Sequence, residues 1–105
     1  DRFIDSKRKI ASNYSDWFKD SSIDFFEEKK ETKVNYWLNT IVTENKEMRD
    51  IFLEETNKNN INTRACWQPM HQLGFNKSAI STDLSNTEWF FDRLINIPSS
   101  PIIKV

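Results

Sequence analysis

At 105 residues the chain has room for one small domain, and a domain of this size buries only about two-thirds of the surface its unfolded chain exposes. Fifteen Lys and Arg against sixteen Asp and Glu leave a net charge of −1, which excludes the basic footprint of a nucleic-acid binder and the polybasic anchor of a membrane-surface protein. Hydrophobic content of 37% with aromatics at 13% excludes a disordered chain, and no apolar run approaches the ~20 residues of a spanning helix.

Residues 2–19 predict a helix, because Ile10, Tyr14, Trp17 and Phe18 recur at helical spacing as one apolar face, with Lys7, Arg8 and Lys9 largely off it. Asp20-Ser21-Ser22 reads as a turn. Ile23 to Glu28, short and aromatic, predicts a strand; Glu27 to Lys33 follows as a charged, solvated turn. Val34 to Val42 alternates over its whole length, with Val34, Tyr36, Leu38 and Thr40 on one face and Asn35, Trp37, Asn39 and Ile41 on the other. It predicts the strongest strand of the chain, paired as an antiparallel hairpin with the first.

Thr43 is placed to cap a helix over about 44–58, with Glu44 and Glu47 in its positive first turn and Met48, Ile51 and Phe52 as its buried stripe. The Asn-rich stretch 57–60 stops it, since Asn tolerates the left-handed conformation. Ile61 to Trp67 predicts a third strand, ended by Pro69. Residues 74–82 form a polar loop. Ser85-Asn-Thr-Glu88 has capping-box spacing ahead of a short third helix through Trp89, Phe90 and Leu94. The apolar spacing runs on through Ile95 and Ile97 to Pro98-Ser-Ser-Pro101, with Ile102 and Ile103 beyond. The order α-β-β-α-β-α, with a closing strand left open, predicts an α+β two-layer fold: a small, mostly antiparallel sheet with helices on one face, as one domain over residues 1–105.

The chemistry-bearing residues concentrate between Asn60 and Leu73, which holds the only Cys, the only His, one Arg and one Trp around Pro69. His71 could serve as a general base, but no Ser or second titratable group stands near it as a triad, so it reads first as a plain polar loop residue, with ligand contact the middle option. Cys66, with no basic run beside it, reads as a small buried hydrophobe rather than a nucleophile. One Cys and one His do not make a four-ligand metal site. Arg64 at a strand end can hold a phosphate or carboxylate with paired donors, or can be an exposed cross-strand charge. Trp67 can stack on a ligand ring or simply pack. No residue is assigned a catalytic role. A single Gly is low for a self-sufficient enzyme, and both ends read as interrupted, so a piece of a longer protein is expected.

Thr63-Arg64-Ala-Cys-Trp67-Gln-Pro69-Met-His71 resembles the Thr-Arg-x-x-Trp-x-Pro-x-His segment of the DegT/DnrJ/StrS sugar aminotransferases, enzymes of the type I fold that use pyridoxal phosphate (PLP). Residues 5–14 are similar to the family's long helix entering its small domain. Asn35-Tyr-Trp37-Leu-Asn39 is similar to its first long small-domain strand, and residues 84–100 to its closing helix with a Leu-Pro-Ser-type end.

The resemblance implies the carboxy-terminal small domain of a PLP-dependent enzyme. That enzyme would move an amino group, from glutamate, onto the C4 ketone of a nucleotide-linked keto-deoxysugar, in the cytoplasm of a cell building surface polysaccharide or glycan. It implies that the Schiff-base lysine and the cofactor reside in a missing N-terminal large domain, that the parent is a homodimer, and that this chain alone is inactive. It places Arg64, Trp67 and His71 at the nucleotide-sugar, with Arg64 on a phosphate. Related enzymes often carry His where Cys66 stands. The competing expectation is a free-standing α+β binding or interaction module without catalytic activity.

Overall fold

A computed structural model describes residues 1–101. Helix α1 spans Arg2–Phe18, strand β1 Asp24–Phe25, β2 Asn39–Val42, helix α2 Lys46–Lys58, β3 Arg64–Ala65, helix α3 Ser85–Phe91 and β4 Leu94–Ile97. The four strands form one antiparallel sheet in the order β1-β2-β4-β3. The expected α+β architecture is therefore present, including the β1–β2 hairpin.

The sheet is organised around β4, which the helical reading of Leu94, Ile95 and Ile97 concealed. Asp92 and Arg93 close α3, and the chain turns straight into a strand that pairs Ile95 with Ile41 and Ile97 with Asn39. Alternation puts Ile95, Ile97, Ile41 and Phe25 on one face. There Phe18 and Tyr14 of α1 and Phe52 and Leu53 of α2 cover them, and this is the core. The other face carries Thr40, whose hydroxyl bonds Asn96 Oδ1 at 2.9 Å, together with Val42, Leu94 and Arg64.

Several local expectations are corrected. The strand expected over Val34–Val42 survives only from Asn39, because Tyr36 sits at φ 48° and turns the chain out of the sheet. Residues 23–28 and 61–67 each contribute two ladder residues rather than full strands. Trp17 is 75% exposed; the buried face of α1 is Ala11, Tyr14 and Phe18. On α2 the buried row is Arg49, Phe52, Leu53 and Thr56, so Met48 and Ile51 lie outward. Asn45, not Thr43, caps α2, accepting the Met48 amide at 2.8 Å. Thr43 instead donates to the Asn45 and Arg93 carbonyls. The Asn stop behaves as expected, with Asn60 at φ 60°.

Two members of the basic run on α1, Lys7 and Arg8, are tied to the rest of the chain. Lys7 Nζ donates to the Tyr36, Trp37 and Ser99 carbonyls at 3.3, 3.1 and 2.8 Å. Arg8 pairs Glu28 through both nitrogens and reaches the Val34 carbonyl at 2.6 Å. These bonds fasten α1 across the irregular 26–38 segment, so Glu28 is half-buried rather than free in solvent. The expectations at Ile102 and Ile103 fall outside the described residues.

Candidate functional site

β3 is an edge strand, hydrogen-bonded only to β4, and the chain leaves the sheet immediately after Ala65. Arg64 lies at Asn96 in the register, on the sheet face away from α1 and α2. It is exposed, and among the described residues nothing accepts from its guanidinium. Cys66 is half-buried. Burial pushes its thiol up from the ordinary range and Arg49 draws it partly back, so it stays protonated and unreactive at neutral pH. Trp67 is 88% exposed. Its indole stands in solvent at the rim of a recess.

That recess is an apolar cleft of about 430 Å³, walled by Cys66, Trp67 and Pro69 on one side and by Phe26, Phe90 and Leu94 on the other. Phe26 and Phe90 meet edge-on, centroids 6.4 Å apart. Arg49 holds the far wall. Its Nη1 donates to the Phe91 carbonyl at 2.8 Å, and the guanidinium lies 5.6 Å from the Phe91 ring centroid while Asp50 takes its other donors. Arg93 adds a second tie, bonding the Glu44 and Trp89 carbonyls and lying over the Trp89 ring. Sequence spacing gave no sign of this cleft, because its walls come from three separate stretches of chain.

Beyond Pro69 two short 3₁₀ turns, Met70–Gln72 and Gly74–Asn76, fold the loop back on itself. Asn76 Nδ2 donates to the Met70 carbonyl at 3.1 Å and locks the two turns together. His71 lines a second, wider hollow of about 620 Å³, which shares Pro69 and Thr87 with the cleft. Trp67 and His71 thus stand at neighbouring recesses, and Arg64 lines neither. The three residues singled out in the sequence lie along one stretch of chain, Arg64 and Trp67 exposed and His71 half-buried, but do not converge on one point.

The expected capping box is absent. Ser85 donates through its amide and hydroxyl to Asp83 at 3.0 and 3.1 Å, which holds that carboxyl below the usual range. Glu88, freed from capping, meets His71 Nε2 at 3.0 Å. Sequence could not show that pairing, because the two residues are 17 apart. Among the described residues no group of three His, Cys, Asp or Glu gathers as a metal site, and no helix is long and apolar enough to cross a membrane.

The family model for DegT/DnrJ/EryC1/StrS aminotransferases matches residues 1–104. The chain belongs to that family. No curated protein sequence matches it. Solved aminotransferase structures share its fold. The aminotransferase TlmJ from Streptoalloteichus hindustanus superposes with a TM-score of 0.84 at 13% identity, over 97% of this chain and 28% of that one. The putative sugar aminotransferase Spr1654 from Streptococcus pneumoniae, in its PLP-form, gives 0.82 at 22%, over 97% and 27%. Helicobacter pylori PseC, an aminotransferase involved in the biosynthesis of pseudoaminic acid, gives 0.81 at 19%, over 92% and 27%. The chain therefore spans a little over a quarter of the length of these aminotransferase structures.

The residues around the two recesses do not fit PLP. An imine-forming amine must be desolvated and free, yet no lysine lines either recess. Among the described lysines only Lys7 is even half-buried, and three carbonyls occupy its ammonium. Along this stretch the chain presents the exposed Arg64 and Trp67 and the half-buried His71 beside two recesses.

Proposed function

We propose that this chain is the small, carboxy-terminal domain of a PLP-dependent nucleotide-sugar aminotransferase. In this reading it supplies part of the substrate grip while the lysine and the cofactor sit in another domain of the same enzyme. Bound there, PLP supplies the electron sink that lets an amino group pass from a donor, glutamate, to the C4 ketone of a nucleotide-linked keto-deoxysugar. The work of this chain is positional. Arg64 offers a phosphate two parallel donors from an edge strand, Trp67 offers a face to a planar ring, and His71 offers a polar contact from the next hollow. The setting is cytoplasmic glycan synthesis by a homodimer.

The observation that carries this reading is the stretch from Arg64 to His71, turned out of the sheet beside two recesses with Arg64 and Trp67 exposed, in a chain that matches the aminotransferase family over residues 1–104. The chain's surface of 8215 Å² also argues against a free-standing module, since a finished monomer of this mass exposes only about 6,200 Å². The test is kinetic, on the full-length enzyme with glutamate and UDP- or GDP-linked 4-keto-6-deoxysugars. Arg64→Ala is expected to raise KM roughly tenfold while leaving kcat nearly unchanged, the pattern of a lost ground-state contact remote from the reacting carbon. No transamination by the full-length protein, or an unaltered KM in the variant, would overturn it.

A further inference from the structure

The Glu88 carboxylate bridges α3 to the loop that follows β3, with Oε1 at 3.0 Å from His71 Nε2. A carboxylate can only accept, so the shared proton belongs to Nε2. In the neutral ring Nδ1 is then an acceptor, and among the described residues no protein group bonds it. The hollow that His71 lines carries the amide of Asn76 and the hydroxyls of Ser81, Thr82 and Thr87, with Ile80 and Leu84 as apolar patches. No Lys, Arg, Asp or Glu lines it. Uncharged donors and acceptors interleaved with apolar surface suit a polyhydroxyl ring; they do not suit a phosphate, which needs cations or a cluster of amides.

We infer that this hollow reads hydroxyl groups of the sugar, and that Glu88 is the positioning residue that presents His71 as acceptor for one of them. The inference rests on the nucleotide-sugar reading and divides its labour: Arg64, outside the hollow, serves the anionic part and His71 the sugar.

Two measurements decide it. His71 is the chain's only imidazole, so ¹⁵N spectra of this chain report on it without assignment. With the ring neutral, a slowly exchanging Nε2–H is expected in the parent chain and lost in Glu88→Ala. A proton on Nδ1, or no change in the variant, would refute the positioning role.

Calorimetry on the full-length protein then compares UDP-N-acetylglucosamine and GDP-mannose with bare UDP and GDP. Glu88→Ala should weaken the sugar nucleotides about fivefold or more and the bare nucleotides by less than about twofold, with Glu88→Gln, whose amide oxygen still accepts, restoring most of the loss. Equal losses on both kinds of probe, or no loss, would overturn the assignment of the hollow. Failure of the parent protein to bind any of the four probes would overturn the nucleotide-sugar reading along with it, while the spectra still decide the ring pairing.

Discussion

Glu28 shows how a residue that reads as surface charge becomes structural. Its carboxyl lies below the ordinary range, first because Arg8 hydrogen-bonds it and next because the Val34 amide donates to it at 2.8 Å. The raised Arg8 pKa reports the same contact from the other side and adds nothing to it. A carboxyl depressed on folding contributes stability above its unfolded pKa, about 4.3 for Glu, and that contribution is lost as pH falls through the lower, folded value. Urea midpoints for the parent chain are therefore expected to drop on acidification below about pH 4, while Glu28→Gln is weaker at neutrality and flatter across that acid window. Parallel curves for the two proteins would show that the Arg8 contact is not coupled to folding. Asn39 poses the opposite situation. It is 1% exposed, and neither atom of its side-chain amide has a protein partner among the described residues.

At the scale of elements, α2 separates what a sequence can show from what it cannot. Its existence and its Asn-rich stop were legible, because periodicity and stop signals are local, while its cap fell at Asn45, two residues past the Thr43 that the sequence suggested. The orientation of α2 was not legible. The row Met48, Ile51 and Phe52 looks buried, yet the helix turns Arg49, Phe52 and Leu53 inward because the Arg49 guanidinium has the Phe91 carbonyl and ring to meet. A cation at the centre of a buried row is visible only once its partner, 42 residues away, is in place. Arg49→Met should cost about 2 kcal/mol, since the Phe91 carbonyl loses its charged donor, and should lower the melting temperature by roughly 10 °C. Ile51→Ser, on the outward side, should stay within about 0.5 kcal/mol. Thermal melts that reverse this order would contradict the observed face. The same locality explains β4, whose Ile95 and Ile97 fit either period until Ile41 and Asn39 fix them in the ladder. In the site, the residue types were legible from Arg64 to His71, but the cleft wall at Phe26 and Phe90 and the Glu88 pairing were not.

For the molecule as a whole, the radius of gyration of 15.7 Å exceeds the roughly 13 Å expected for 105 residues, and its surface exceeds that of a finished monomer by about 2,000 Å². That excess is the size of a large protein–protein interface. The exposed aromatics give it apolar character: Trp17, Trp67, Phe75 and Trp89 stand in solvent around a core whose fully buried apolar members are few. A net charge of −1 supplies almost no repulsion to keep such surfaces apart near neutral pH. The 105-residue chain on its own is therefore expected to bind a hydrophobic dye such as ANS and to self-associate as concentration rises. Association should weaken when Trp67 and Trp89 are replaced by Ser and should persist in moderate salt, because burial of apolar surface drives it. Sedimentation equilibrium gives the decisive reading. A single monomeric species over a wide concentration range, without dye binding, would mean that the uncovered aromatic surface has no partner to find.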